Sequence, residues 1–344
     1  MYFEIISTFV LSYILLAVFV RFSSRLGFVD NPNLRSTHTQ VIPSSAGIVL
    51  FIAVLIVSLL LDTSLYHQHS LSLLAIFFVF LLGVYDDIKA LRARYKIIFI
   101  TLFTVLSCYD GLIISNIGTY FGYNIPLSFS WAGISLTMFF ILSFTNAFNL
   151  IDGLDGLAGT IAIILFSSLW FIGYQNNDAF LMTLPALFIP AIFAFVLFNW
   201  NPAKVFMGDS GSLLLGFVIS LLSIKALDYV PPVVILYLLA VPIIDTLIII
   251  TRRKKYRRAI FSPDRNHAHH VLLNYNENNV KKTVVIIALI QIIYTLLGIT
   301  LATSLPQEVP VLFFIINIVA WYFILTKLCV NHSKLIAERF FESR

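Results

Sequence analysis

Carboxylates gather in this sequence at a few places where an otherwise apolar chain has little reason to keep them. Asp86 and Asp87 are adjacent, and neighbouring carboxylates repel, so one tends to hold a proton unless a cation or metal ion is near. Lys89, Arg92 and Lys96 follow. Two readings stay open: a pair that handles metal or phosphate, or an acidic turn balanced by the bases after it. A second stretch, Asn146-Ala147-Phe148-Asn149-Leu150-Ile151-Asp152-Gly153-Leu154-Asp155-Gly156, repeats a polar residue every three positions. At about 100° per residue that spacing keeps Asn149, Asp152 and Asp155 on one helix face. The stretch has no Lys or Arg to neutralise its carboxylates, and its glycines let a ligand approach the backbone. A purely structural role would need a counter-charge from elsewhere, so a ligand site is the better reading.

Further along, Asn199-Trp200-Asn201-Pro202-Ala203-Lys204-Val205-Phe206-Met207 leads into Gly208-Asp209-Ser210-Gly211-Ser212. Asp209 or either serine can cap the helix that starts there. A cap and a magnesium ligand are compatible, because Mg²⁺ takes one or two carboxylates plus phosphate oxygens and water. The longest polar loop carries Arg252-Arg253-Lys254-Lys255 and Arg257-Arg258, then Ser262-Pro263-Asp264-Arg265-Asn266-His267-Ala268-His269-His270. The basic run alone can be a topology determinant and an anchor to anionic lipid. The three histidines have no Cys and no Glu at ligand spacing, which makes zinc a poor fit. Neutral imidazoles beside Arg265 suit diphosphate contacts or acid–base work better. The turn-rich segment Asp30 to Thr39, followed by Pro43-Ser44-Ser45-Ala46-Gly47, offers Arg35, His38 and hydroxyls to an anion, or is a solvated connector. Asp245 sits alone in an apolar run. A charge at mid-bilayer costs about 2.5–3.5 kcal/mol, so it is expected to face the protein interior; packing and catalytic roles are equally compatible with it.

The elements that must position these residues follow from composition. The chain has 344 residues, 59% of them hydrophobic and only 11% charged, with mean hydropathy +0.94. Soluble domains carry about 25% charged residues, and a single soluble core stops growing at roughly 250–300 residues. A soluble enzyme, a disordered chain and a disulfide scaffold are excluded. Cys108 and Cys329 lie in apolar runs and say little about redox compartment. The expected fold is an all-α polytopic integral membrane protein. Apolar runs that can span number about eleven: Phe3–Val20, Ala46–Leu61, Leu71–Tyr85, Ile97–Ile114, Ser130–Phe144, Leu157–Gly173, Phe180–Phe198, Leu213–Ala226, Val233–Ile250, Val284–Ala302 and Val309–Leu325. The first has no basic n-region and no small-residue cleavage site, so it reads as a retained span.

Placing the basic residues on this frame puts all of them except Lys225 on one face. By the positive-inside rule that face is cytoplasmic, with the N-terminus outside and the C-terminus inside. The polar clusters fall on the same face, in loops at about 21–45, 86–96, 145–157, 199–212 and 251–282. The whole chain, 1–344, reads as a single transmembrane catalytic domain. Carboxylates that can surround Mg²⁺, with cations to hold phosphates, are what phosphoryl transfer requires, since there the protein chiefly positions groups and neutralises charge. A site at the water–lipid boundary points to one soluble and one lipid substrate. A transporter or lipid flippase would instead place its polar groups near mid-membrane and show inverted repeats; here only Asp245 lies deep and no repeat is evident.

The motifs Asp86-Asp87, Asn149-Leu150-Ile151-Asp152-Gly153-Leu154-Asp155-Gly156-Leu157-Ala158, Phe206-Met207-Gly208-Asp209-Ser210-Gly211-Ser212 and His267-Ala268-His269-His270 occur in this order. Together they resemble the polyprenyl-phosphate N-acetylhexosamine-1-phosphate transferases, over nearly the whole chain. The resemblance implies transfer of a sugar 1-phosphate from a UDP-sugar to undecaprenyl phosphate, with release of UMP and with Mg²⁺ (Mn²⁺ as a substitute). It implies a bacterial cytoplasmic (inner) membrane enzyme that starts cell-envelope polysaccharide synthesis. Expected partners are the UDP-sugar, undecaprenyl phosphate and membrane lipids, with no nucleic acid; a homodimer is allowed. Residue by residue, Asp209 resembles the family's magnesium ligand, and Asp86 and Asp87 match the paired aspartates near metal and lipid phosphate, Asp87 as a second ligand. Asn149, Asp152, Asp155, Asn199 and Phe206 match positions lining the nucleotide pocket. Arg265, His267, His269 and His270 match the loop that handles the diphosphate, and Arg35 is the candidate from the first loop.

Relatives that transfer phospho-MurNAc-pentapeptide carry three contiguous histidines. His267-Ala268-His269-His270 resembles the GlcNAc-1-phosphate branch instead. Ser45-Ala46-Gly47 departs from the Gly-Gly pair often found in the first loop of relatives, so a phospho-MurNAc-pentapeptide or 6-deoxy-N-acetylhexosamine donor remains the alternative.

Overall fold

Inside a bilayer a backbone must satisfy its own hydrogen bonds, which leaves helices for a chain of this composition. The computed structural model describes residues 2–30, 41–60, 68–127, 130–255, 257 and 267–342. In chain order the helices are α1 (Tyr2–Leu26), α2 (Gly47–Ser58), α3 (Ser70–Ile88), α4 (Ala93–Tyr109), α5 (Ser130–Ile151), α6 (Leu157–Asn176) and α7 (Ala179–Asn199). They continue with α8 (Gly208–Ala226), α9 (Pro232–Leu238), α10 (Ala240–Lys255), α11 (Ala268–Tyr275), α12 (Val280–Ser304) and α13 (Glu308–Glu342). Two short antiparallel pairs complete the described structure: β1 (Val29–Asp30) with β2 (Ile42–Pro43), and β3 (Asn116–Tyr120) with β4 (Tyr123–Pro126).

Each expected apolar run contains helix, but not every helix is long enough to cross. Among the described residues eight helices are long and apolar enough to cross a bilayer, or nine if α9 and α10 are one broken span. The protein is therefore a multi-pass membrane protein. At 1.5 Å per residue the 12 residues of α2 cover only roughly 18 Å of a roughly 30 Å hydrocarbon layer. The run expected at Ile97–Ile114 begins earlier and ends at Tyr109, where a turn through Gly111 leads to the β3–β4 hairpin.

The centre of the bundle is α8, which is buried along nearly its whole length, whereas little of Glu308–Cys329 in α13 is buried and that helix lies at the periphery. Helices α3 and α5 pack along α8, while α7 is clasped by α1 and α6. Lipid tails are as apolar as leucine, so helices in a membrane associate through close packing of small residues rather than through water exclusion. The crossing of α2 and α8 shows this: a Cβ at Gly47 would collide with the Gly211 backbone. The same crossing is tied by backbone bonds from Ala46 N to Phe206 O (3.0 Å), Gly47 N to Met207 O (3.0 Å) and Phe206 N to Pro43 O (2.8 Å). The loop after α1 is thereby held on the loop that opens α8.

The run expected as one span at Val233–Ile250 is broken, with α9 and α10 bent by 82°. Leu239 leaves helical geometry, and Pro242 has no N–H to return to the preceding turn. Gln291 of α12 takes up the groups so released. It accepts from Val241 N at 3.0 Å and donates to Leu238 O at 2.8 Å, and it is fully buried. Leaving such groups unpaired would cost about 1–3 kcal/mol each, so the glutamine makes the bend tenable inside the bundle.

Candidate active site

Four helix ends meet at one end of the bundle. The last turn of α3 brings Asp86 and Asp87, the first turn of α4 brings Lys96, the last turn of α5 brings Asn149, and the first turn of α8 brings Asp209 and Ser212. The α8 N-terminus is the organising feature, because its free N–H groups and dipole attract negative charge. Asp87 satisfies two of them: Oδ1 accepts from Asp209 N at 2.7 Å and Oδ2 from Ser210 N at 3.1 Å. Asp87 is thus a cap donated by another helix, and it fixes the backbone that carries Asp209.

Asp209 is held at both oxygens. Oδ1 accepts from Asn149 Nδ2 at 2.6 Å, and the same amide also donates to Ser212 Oγ at 2.7 Å. Oδ2 accepts from Lys96 Nζ at 2.8 Å. Lys96 also pairs with Asp86, whose other oxygen accepts from Leu91 N at 2.6 Å. Lys96 therefore bridges the two motifs, a placement the sequence reading did not assign to it. The available signal was its position: a cation at the start of the helix that follows a carboxylate pair.

The turn between α5 and α6 carries Asp152 and Asp155, which behave differently. Asp155 Oδ2 accepts from Asn201 Nδ2 (2.9 Å) and Ala203 N (3.0 Å), pinning the loop before α8. Asn199 braces the same junction: its Oδ1 accepts from Gly156 N and its Nδ2 donates to Val205 O, both at 2.8 Å, and it is buried. Asn199 and Asp155 shape this loop through backbone contacts, and half-buried Phe206 lies on it. Asp152, by contrast, has no hydrogen-bond donor among the described residues. Burial, together with the charges of Asp209, Asp87 and Asp155, pushes its carboxyl up to about 7.

The histidines come to the same turn from the other side. His269 packs with Nε2 directly against Gly153, where a Cβ could not fit. Burial pulls its imidazole down to about 3 against the attraction of Asp245, so it is neutral at ordinary pH. His267 and His269 lie nearly parallel with centroids 5.5 Å apart, and His270 is 4.3 Å from His269. Arg35 and Arg265 lie outside the described residues. Lys225 sits at the opposite end of α8, paired with Asp228 at 3.0 Å and Asp178 at 3.4 Å, as its isolation from the other bases led one to expect.

The donor set can be tested against a divalent cation. Among the described residues no three His, Cys, Asp or Glu side chains form a closed metal cage. Zinc would need one, whereas Mg²⁺ uses few carboxylates and completes its shell with phosphate oxygens and water. Asp86, Asp87, Asp152, Asp155 and Asp209 face one paired cation among the described residues, Lys96. Asp152 in particular is a carboxylate that no described residue pairs with. The residues fit a hard cation held together with a phosphate ligand.

The sequence profile of glycosyl transferase family 4 matches residues 69–227, which includes every one of these carboxylates. A probable undecaprenyl-phosphate N-acetylglucosaminyl 1-phosphate transferase of Bacillus subtilis is 31% identical over 290 residues, covering 83% of this chain and 80% of the relative. The chain belongs to this family. Undecaprenyl-phosphate alpha-N-acetylglucosaminyl 1-phosphate transferases of Yersinia pestis (28% identical, 97% of this chain and 93% of the relative) and Escherichia coli K12 (27%, 97% and 92%) are similar along almost the full length. As a family 4 chain, the protein carries these carboxylates on interlocked helix ends.

Proposed function

We propose that this protein transfers N-acetylglucosamine 1-phosphate from UDP-N-acetylglucosamine to undecaprenyl phosphate, giving undecaprenyl-diphospho-N-acetylglucosamine and UMP. The reading places it in the bacterial inner membrane with eleven passes, two of them on the short helices α2 and α4, and with the site facing the cytoplasm. The observation that carries it is the knot of Asp87, Asn149 and Lys96 around Asp209 at the α8 N-terminus. It combines fixed carboxylates, a cation and helix-terminal N–H groups at the end of a bundle, where a lipid phosphate and a water-borne nucleotide can both reach. The relatives' names support undecaprenyl phosphate as the acceptor and N-acetylglucosamine as the sugar. The separated histidines at His267 and His269 favour that sugar over a muramyl donor.

A lipid phosphate monoester is already ionised at neutral pH, its second pKa being about 6. The nucleophile therefore needs placement rather than a strong base. One of its oxygens attacks the β-phosphorus of the nucleotide, the bond from that phosphorus to the bridging oxygen breaks, and UMP leaves with that electron pair. Asp209 and Asp152 are the residues that would hold Mg²⁺, Asp152 in the place expected of Asp87, whose two oxygens accept from Asp209 N and Ser210 N; bound there the ion would neutralise charge on the diphosphate. Lys96 supplies a fixed positive charge beside Asp209, and Asp87 keeps the α8 N–H groups ordered. Asp155 and Asn199 set the loop on which Phe206 can meet the base.

The test is UMP release by purified protein given UDP-N-acetylglucosamine, undecaprenyl phosphate and Mg²⁺, beside Asp209→Asn. Lipid-dependent release that disappears in the variant is the expected result. Release only with a muramyl-pentapeptide or 6-deoxy donor would move the sugar assignment, and no release with any donor from folded protein would overturn the reading.

A further inference from the structure

Asp245 lies in α10, deep in an apolar run, with 3% of its surface exposed. A buried carboxylate is tolerated only when its oxygens are fully engaged, and here both are. Oδ2 is 2.7 Å from His267 Nδ1, and Oδ1 accepts from Ala268 N at 2.6 Å. The second bond caps the first turn of α11, a task that Ser, Thr or Asn performs as well and at lower desolvation cost. Capping alone does not account for a charged residue at this depth. The first bond does, because a carboxylate is acceptor-only and dictates which imidazole nitrogen carries the proton.

His267 is also buried, lies parallel to His269, and His269 in turn rests on Gly153 beside Asp152. One side chain on a bent helix thus sets the orientation of a row of rings that ends at the carboxylate turn. We propose that Asp245 is a positioning residue for phosphotransfer, holding His267 with its proton on Nδ1 and its Nε2 lone pair presented to the reacting groups. This inference rests on the transferase reading above. Its mechanism is that of any carboxylate–imidazole pair: the acid stays ionised, and the ring is locked in one tautomer and one orientation.

Asp245→Asn separates this role from a cap. The Asn carbonyl can still accept from Ala268 N, but its NH₂ would donate to His267 Nδ1 and force the proton onto Nε2. The experiment is ¹⁵N-histidine NMR of the full chain in nanodiscs, with the His267 signal assigned by its loss in His267→Gln, together with steady-state UMP release. The wild-type ring is expected in the Nδ1–H form and the variant in the Nε2–H form. In the variant kcat should fall about 100-fold or more while KM for the nucleotide stays within about threefold, and Asp245→Glu should recover part of kcat. A wild-type His267 found with its proton on Nε2 would overturn the proposal even if no variant folds. So would an Asp245→Asn protein that keeps kcat within about threefold, whatever its thermal stability. If wild-type protein releases no UMP, the transferase reading fails separately, since the tautomer is read without turnover.

Discussion

Lys96 Nζ lies 2.8 Å from Asp209 Oδ2 and also pairs with Asp86, so one ammonium joins carboxylates 123 positions apart in sequence (209 − 86). Its charge has two opposed effects on a bound diphosphate and its cation. It attracts the phosphate oxygens, and it competes with a divalent ion for Asp209. Lys96→Met should therefore lower kcat/KM by about 100-fold or more, in keeping with loss of a charge acting on developing phosphate charge, while the apparent affinity for Mg²⁺ rises. Steady-state UMP release across a Mg²⁺ titration measures both. A fall in Mg²⁺ affinity in this variant would mean that Lys96 does not compete at the carboxylate, and an unchanged kcat/KM would remove it from the site.

At Gly153 the His269 ring leaves no room for a side chain. Gly153→Ala must displace either the ring, which the short helix α11 carries, or the turn between α5 and α6 that carries Asp152. The expected result is loss of about tenfold or more in activity with thermal stability within a few degrees of wild type, because misplacement of a site by a fraction of an ångström acts on rate before it acts on folding. Parallel melting curves and UMP assays decide it. Activity near wild type would show that the contact between the histidine row and the carboxylate turn is dispensable.

Gln291 offers a contrasting case, since it touches no site residue but holds the α9–α10 break together. Gln291→Leu leaves Leu238 O and Val241 N without their partner, at about 1–3 kcal/mol each in a dry interior. A lowered melting temperature is expected, together with faster loss of activity on warming. Detergent-solubilised variant and wild type compared by thermal inactivation would reveal it. Equal half-lives would mean that another group takes over the freed backbone.

Much of this architecture could be read in advance because membrane physics leaves few choices. Apolar runs had to be helices, and the lone position of Lys225 among the bases anticipated its place at the far end of α8. The site motifs were legible for a related reason, since carboxylates such as Asp152 and Asp209 are too costly at a bilayer to be kept without work. What was not legible depends on tertiary contact. The sequence does not say that Asp87 caps a helix it does not belong to, or that Asn199 spends its amide on Gly156 N and Val205 O. The run Val233–Ile250 read as one span because its break depends on Gln291 from another helix to hold the freed backbone groups. The β3–β4 hairpin lies between the runs Ile97–Ile114 and Ser130–Phe144, in a connecting stretch whose pairing no apolar run announces.

Asp152 provides the sharpest link between charge and pH. Its carboxyl is raised to about 7 from an ordinary value near 3.9, so the folded protein without a divalent ion holds a proton there that the unfolded chain has lost above about pH 5. With more protons bound in the native state, stability falls as pH rises through that window. The contribution is fully present only below the unfolded pKa. A divalent ion displaces the proton, so its apparent affinity should climb about tenfold per pH unit below 7 and level off above it. In EDTA, melting temperature should therefore decline between pH 5 and pH 8, and added Mg²⁺ should restore it most at pH 8. Asp152→Asn should flatten both dependences, because the amide neither titrates nor carries the charge the ion requires. Thermal melts over pH with and without Mg²⁺ make the comparison. A Mg²⁺ effect in wild type that does not vary between pH 5 and pH 8 would place the ion away from Asp152.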